Sequence, residues 1–406
     1  MTSTFALHAD RLDVVAAAEA AGVDRSAVLD TIDRLDEAVA TVAGIGFEAT
    51  PFGPQARLAS AIDLDGAELW VKNETGNVSG SHKGRHLFGV ALHLALTDAH
   101  PDRLAIASCG NAAFAASMIA AAIEQPLDVF VPDWADDSVV EHIATHGATV
   151  VRAQRDPERL GDPAHHAMVE AVAAGATAFS VQGTDTPMTV DGGRTIAYEM
   201  LDTLGEHRID RLLIQVGGGA LGSAVASGLQ RVLGDDALPM IHAVQPEGNH
   251  PLALAWDRIV TELGYDQPRH NLDRAEIAAE IGRMPADPRR ALLGRVAGDA
   301  DAYMQPWPRE PKSYATGILD DITYDWLPLV DAMLASAGHP LVTGDMEFRM
   351  AHMLAHAHTD IAVCPTGAAG LGGLLTLQRD VRPDLTGKRV ALIFSGHQRD
   401  GDPRPN

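Results

Sequence analysis

Leu212-Leu213-Ile214-Gln215-Val216-Gly217-Gly218-Gly219-Ala220-Leu221-Gly222 reads as a buried strand running into a glycine turn and then a helix. Glycines at such a turn let backbone N–H groups approach an anion, and the helix beginning near Gly222 adds the positive end of its dipole. Gly217, Gly219 and Gly222 also satisfy G-x-G-x-x-G, the spacing of dinucleotide-binding turns. That reading requires an acidic residue closing the next strand. Here the next strand-like run, Ile241-His242-Ala243-Val244, leads into Gln245-Pro246-Glu247, where proline disturbs the geometry. Phosphate binding is common to both readings; a tight turn without a ligand is the bland alternative.

The same alternation extends outward from this stretch. Strand-like apolar runs occur at 68–71, 104–107, 127–131, 149–151 and 179–181, and again at 361–363 and 390–394. Helical stretches rich in alanine lie between them, at 112–123, 138–146, 195–204 and 346–358. Strand–helix repetition predicts an α/β fold of two domains with parallel-type sheets covered by helices. Residues 1–45 are read as a helical extension with Asp24 and Ser26 as candidate caps. Residues 46–95 and 190–406 are assigned to a large domain, and 96–189 to a small mobile one that closes over substrate. Residues 261–312, rich in Pro, Arg and Asp, break the rhythm and read as an inserted excursion over the site.

Composition bounds the partners. The 406-residue chain carries a formal charge of -24, which would repel nucleic acid and anionic membranes. No apolar run reaches the roughly 20 residues of a membrane span. The first residues carry no basic or apolar export segment, and two cysteines, Cys109 and Cys364, make no disulfide framework, so a cytoplasmic location is expected.

The second chemistry-bearing stretch is Ser79-Gly80-Ser81-His82-Lys83-Gly84-Arg85, just after the strand-like Glu68-Leu69-Trp70-Val71. Its small residues let a planar ring approach the backbone, and enclosure favours the neutral, nucleophilic amine. An isolated lysine would be an ordinary surface residue. Paired with a phosphate-cradling glycine turn, Lys83 is what an enzyme binding pyridoxal 5'-phosphate through a Schiff base needs. Two further segments stand at strand ends: Ser108-Cys109-Gly110-Asn111, opening a helix with Ser108 as a cap-like group, and Ser395-Gly396-His397 after the last strand. His352 and His356, one helical turn apart, lack an acidic or cysteine partner at metal-ligand spacing, and no metal is expected. Tyr303, Trp307, Tyr314 and Trp326 offer an aromatic cover or ordinary packing, and Cys109 a pocket wall or a buried thiol.

From Thr50-Pro51 to Asp400 the chain resembles the fold-type II pyridoxal-phosphate enzymes, the superfamily of tryptophan synthase β, threonine synthase and the serine/threonine dehydratases. The resemblance rests on Thr50-Pro51 with Lys72-Asn73-Glu74, on Ser81-His82-Lys83 and on Ser108 to Asn111. Gly192-Gly193-Arg194-Thr195, Gly217 to Leu221 and the tail Ser395 to Asp400 complete it. It implies Lys83 as the catalytic and cofactor-bearing lysine. It also implies Asn111 beside the cofactor's phenolic oxygen, Gly217, Gly218, Gly219, Ala220 and Leu221 around its phosphate, and Ser395 facing the pyridine nitrogen. The substrate carboxylate is expected at Ser108, Cys109, Gly110 and Asn111.

A neutral hydroxyl at the ring nitrogen weakens the electron sink and suits β- or γ-elimination or replacement on a small amino acid. Threonine synthase-like and threonine/serine ammonia-lyase-like activities both fit, and the family implies a homodimer. Threonine synthases carry a basic residue shortly before G-x-K-T for a phosphorylated substrate, whereas Gln182 to Thr189 contains no arginine or lysine. Arg194, Arg85, Arg309 and Lys312 are the candidate substitutes. The alternatives are a nicotinamide-dependent dehydrogenase using the Gly217–Gly222 turn and a non-catalytic pyridoxal-phosphate-binding homologue.

Overall fold

Among the described residues, ten strands form two sheets, and the long apolar runs become their centres. They are β1 (Phe52–Pro54), β2 (Glu68–Asn73), β3 (Leu104–Ala107), β4 (Leu127–Pro132), β5 (Thr149–Ala153), β6 (Thr177–Ala178), β7 (Arg211–Gln215), β8 (Met240–Pro246), β9 (Leu341–Thr343) and β10 (Arg389–Phe394). The computed structural model describes residues 2–64, 66–155 and 161–405. They form two units, Met1–Ala49 with Gly76–Thr195 and Thr50–Thr75 with Ile196–Asn406.

The first unit is built on the parallel sheet β5-β4-β3-β6. Helices Asp13–Ala20 and Arg25–Ala43 pack within it, against helices Lys83–Leu96 and Asn111–Ala122. Val28, Ile32, Leu35 and Val39 recur at helical spacing on one face and are buried. Asp24 caps the longer helix by accepting the Ser26 N–H at 2.8 Å, so of the two expected caps Asp24 serves and Ser26 is its donor.

The second unit holds the sheet β1-β2-β10-β7-β8-β9, parallel except at the β1–β2 edge. β10, the last strand in the chain, lies between β2 and β7, with Leu392 opposite both Val71 and Leu213. Alternate residues serve opposite faces: Leu213 and Leu392 join one core, Leu212, Ile214, Ala391 and Ile393 the other. Burial on both faces is why these strands read as unbroken apolar runs. The topology brings the carboxyl ends of β7 and β10 side by side.

Three expectations about elements are revised. Phe179-Ser180-Val181 lies beyond β6, because the Ser180 N–H and hydroxyl bond Thr186 and Asp185 side chains rather than a ladder. Ile361-Ala362-Val363 makes only one bridge, Val363 to His397, before Pro365 turns the chain. Residues 261–312 hold helices Asn271–Ile281 and Ala286–Gly298. Their Ile281, Leu292 and Val296 pack with Trp256 and Leu329, so the segment is core-forming rather than an excursion. The short edge strands β1 and β9, with three residues each, carry too little pattern to be read in advance. Among the described residues, no helix is long and apolar enough to cross a membrane.

Candidate active site

In the first unit, Lys83 is the first residue of its helix and half-buried, with His82 as N-cap. No acidic residue occupies that first turn, although acidic groups favour a helix start and fixed cations oppose it. Just upstream, Ser79 (φ 60°) and Gly80 (φ 70°) are both left-handed. For serine this conformation costs energy, and such departures gather at functional sites. The Lys83 N–H reaches back to the Ser81 hydroxyl at 3.4 Å. Gly84 is required by packing: a Cβ there would lie 3.1 Å from the Val78 carbonyl oxygen and 3.2 Å from the Phe47 ring.

Two buried imidazoles follow the lysine. His82 and His86 stack edge to face at 5.2 Å, and His86 Nδ1 donates to the Thr189 carbonyl at 3.2 Å. Burial, reinforced by the Lys83 charge, holds His82 well below the ordinary imidazole range and His86 down to about 3. Both are therefore neutral. The His82 Nδ1 and His86 Nε2 atoms are buried without a hydrogen-bond partner.

Asn111 is the first residue of helix Asn111–Ala122, and that helix packs against the turn Val78–Gly80 that precedes Lys83. Its N-cap is Gly110, not Ser108: the Ser108 hydroxyl instead accepts the Gly110 N–H at 3.2 Å, shaping the loop. Cys109 is exposed, which corrects the buried-thiol reading, while Cys364 is buried. Burial pushes the Cys364 thiol up to about 11.

In the second unit the glycine turn has the geometry of an anion cradle. Gly219 is left-handed (φ 97°) and caps helix Ala220–Leu233. Among the described residues, no protein acceptor is recorded for the N–H groups of Gly217 to Leu221. A Cβ on Gly217 would lie 2.3 Å from Asp320 Oδ2 and 2.9 Å from Ile318 Cα. One on Gly219 would lie 3.0 Å from the Thr323 side chain. The segment 318–325 is tied to the turn through Asp325 N–H to Gly218 O at 2.9 Å. Gln245 Nε2 braces the same region, reaching Val216 O and Thr323 Oγ1 at 3.3 Å each.

Ser395, at the end of β10, is buried and accepts from Gln215 Nε2 at 2.6 Å. These residues fit pyridoxal phosphate: unpaired N–H groups at a helix start match its phosphate arm, and a buried neutral hydroxyl matches its ring nitrogen. Gln215 was not anticipated, although a polar residue inside an apolar strand was the signal available.

Three of the four basic candidates for a second phosphate are engaged elsewhere. Arg194 pairs with Asp13 and lies 3.5 Å from Asp191. Arg85 is fully buried and donates to Thr195 Oγ1 at 3.0 Å. Lys312 is exposed beside Glu310 at 3.4 Å, and Arg309 is exposed. Of the four lysines in the chain, Lys72, Lys312 and Lys388 have carboxylate partners in Glu199, Glu310 and Asp210.

His352 is held between the Tyr314 hydroxyl at Nδ1 and Gln398 Oε1 at Nε2, both at 2.9 Å, and His356 reaches the Val363 carbonyl at 2.8 Å. Tyr314 and Trp326 belong to different cores, so the aromatic residues do not form a single cover.

A family model described as pyridoxal-phosphate dependent enzyme matches residues 46–396. The chain is 28% identical over 254 residues to a threonine synthase of Methanosarcina acetivorans, covering 60% of this chain and 58% of that protein. It is 28% identical over 191 residues to an L-serine dehydratase of Saccharomyces cerevisiae, covering 44% of this chain and 56% of the relative. Both alignments thus span somewhat over half of the relatives' length. The fold is shared with the processed form of threonine deaminase isoform 2 from Solanum lycopersicum, at a TM-score of 0.65 and 15% identity over 94% of this chain and 92% of that one.

Proposed function

Because the chain belongs to the family of pyridoxal-phosphate-dependent enzymes, we propose that it catalyses β-elimination on a small, unphosphorylated hydroxy amino acid, releasing ammonia and a 2-keto acid. The observation that carries this reading is the pairing of Arg194 with Asp13 and Asp191. The resemblance puts the residue serving a phosphorylated substrate shortly before Gly192; that run, 182–189, has no basic side chain, and Arg194 is a candidate substitute that these carboxylates already engage. A dianionic substrate would have no charge-assisted clamp there.

In this reading Lys83 would hold the cofactor and, with substrate bound, take the α-proton on Nζ. When bound, the cofactor supplies the conjugated ring that makes that proton acidic. The N–H groups of Gly217 to Leu221 hold the phosphate arm, Asn111 the phenolic oxygen, and Ser395 the ring nitrogen. The start of helix Asn111–Ala122, with Ser108, Cys109 and Gly110, receives the substrate carboxylate. His82 and His86, both neutral, add no positive charge beside Lys83. Residues 96–189 close over the bound amino acid. The protein works as a cytoplasmic homodimer.

The test is incubation of cofactor-loaded protein with L-serine and L-threonine, with keto acid measured by reduction. Keto acid that disappears with Lys83→Ala supports the reading, and none from either amino acid sinks it. A second reading is favoured by the threonine synthase relative: phosphate is eliminated from the γ carbon of homoserine phosphate and water adds at the β carbon. Phosphate release from that compound without keto acid from serine would establish it instead.

A further inference from the structure

We propose that Gln215 is a positioning residue which compels the Ser395 hydroxyl to act as a donor, and so keeps the cofactor's ring nitrogen unprotonated. The inference rests on the reading that Ser395 faces that nitrogen.

The orientation of the Gln215 amide is decided by two backbone carbonyls. Its Nε2 lies 3.1 Å from the Gly367 oxygen and 3.1 Å from the Ile393 oxygen. Carbonyl oxygens only accept, so the opposite amide orientation would set three oxygens against one another. The nitrogen therefore points at them, and the same nitrogen reaches Ser395 Oγ at 2.6 Å, the shortest of its three contacts. Ser395 must accept in that bond. A hydroxyl has one proton, and among the described residues no protein acceptor is recorded for this one. It is left to be given to whatever group lies in front of β10.

A ring nitrogen placed there meets a donor. An unprotonated nitrogen offers its lone pair and completes the bond, whereas a protonated one would present N–H to O–H. A hydroxyl without Gln215 could rotate and accept instead, tolerating either state. Gln215 thus turns an ambivalent group into a selective one.

The surroundings agree with a functional role. Gln215 is a buried amide following the apolar run Leu212-Leu213-Ile214 of its strand, and its Oε1 has no hydrogen-bond partner. That oxygen sits 3.2 Å from where a Cβ on Gly370 would stand, so glycine at 370 makes room for the amide. A strand residue chosen only for packing would be apolar, like Leu213 and Ile214 beside it.

The experiment uses the full chain loaded with pyridoxal phosphate isotopically labelled at the ring nitrogen, read by heteronuclear NMR as pH is varied. Wild-type protein is expected to show the resonance of an unprotonated, hydrogen-bonded pyridine, unchanged over the pH range in which the fold is intact. Gln215→Met, similar in volume but without donors, is expected to titrate, its resonance moving toward the protonated position as pH falls. A protonated nitrogen in wild-type protein overturns the proposal, and so does a Gln215→Met profile that matches wild type. Should Gln215→Met not fold, the wild-type profile still decides. Ser395→Ala separates the two levels of inference: an unmoved resonance there means Ser395 does not face the nitrogen, and the underlying placement fails. A moved resonance in Ser395→Ala with none in Gln215→Met keeps the placement and removes Gln215.

Discussion

Lys72 and Glu199 form an ion pair closed to solvent, their side chains 0% and 3% exposed. The Lys72 ammonium also donates to the Thr50 carbonyl at 2.7 Å, and a second buried carboxylate, Glu74, lies 3.9 Å away. Thr50 completes the network through its N–H, which donates to Glu199 at 2.9 Å. The Lys-x-Glu pattern after Thr50-Pro51 is therefore a structural clasp. It also ties the amine of Lys72 into two carboxylates, which makes it unsuitable for covalent chemistry.

Borohydride reduction of cofactor-loaded protein followed by peptide mapping should label Lys83 and leave Lys72 unlabelled. Lys83→Ala should abolish the label and the visible absorbance while leaving the far-ultraviolet circular dichroism unchanged. Label found on Lys72 would contradict the assignment.

Removing one partner of the clasp strands a buried charge. Lys72→Met should destabilise the fold by about 3–5 kcal/mol, because Glu199 and Glu74 lose their cation without regaining water. The double variant Lys72→Met/Glu199→Gln should recover part of that loss in chemical denaturation. A double variant no more stable than the single one would argue that lost packing, not the stranded charge, causes the effect.

Two glycines stand where a methyl group has no room. In Gly192→Ala the new Cβ would lie 2.1 Å from the Arg85 carbonyl oxygen and 3.1 Å from the Gly89 N, all backbone atoms. A cost of about 1–3 kcal/mol or more is expected in unfolding experiments. Gly217→Ala should weaken cofactor binding about tenfold or more, equivalent to roughly 1.4 kcal/mol, by displacing the cradle. Asp320→Ala should not restore it, because Ile318 Cα still blocks the methyl group at 2.9 Å. Equilibrium dialysis against pyridoxal phosphate measures this directly.

Acid should destabilise the protein through its buried imidazoles. Arg211 donates to His242 Nε2 at 2.9 Å, so that nitrogen carries a lone pair, and burial pushes the ring down to about 3, as it does His86. A histidine depressed in the folded state takes up its proton more readily when unfolded. Its stabilising effect is complete above the unfolded value of about 6.5 and is lost as pH falls toward the folded value. Each such ring contributes a slope of up to about 1.4 kcal/mol per pH unit in that window. Denaturation midpoints measured from neutral pH downward should fall accordingly, and His242→Gln should flatten the curve. A wild-type profile flat from pH 7 to about 4 would refute the account.

The two loops of the proposed site were legible as candidates because their chemistry is written in residue types rather than in packing. Small residues around Lys83 and glycines after a buried strand are needed wherever a ring and a phosphate must approach the backbone. Asn111 and Ser395 were singled out for a related reason: each follows a strand's carboxyl end, a position that strand periodicity locates. Gln215, the 318–325 segment over the glycine turn and the engagement of Arg194 by Asp13 were not legible. Each depends on partners 180, about 100 and 181 positions away, and a strand pattern does not say which distant side chain a buried group meets.

The chain by itself determined the alternation that makes two parallel-type sheets, the lysine and the glycine turn, because periodicity and backbone freedom are local properties. Tertiary structure alone decided that β10 lies beside β7, which sets Gln215 against Ser395, and which lysines are neutralised by carboxylates. Hydrogen-bond direction and charge pairing arise only when residues far apart in sequence are brought within about 3 Å, and burial then makes each unmatched group costly.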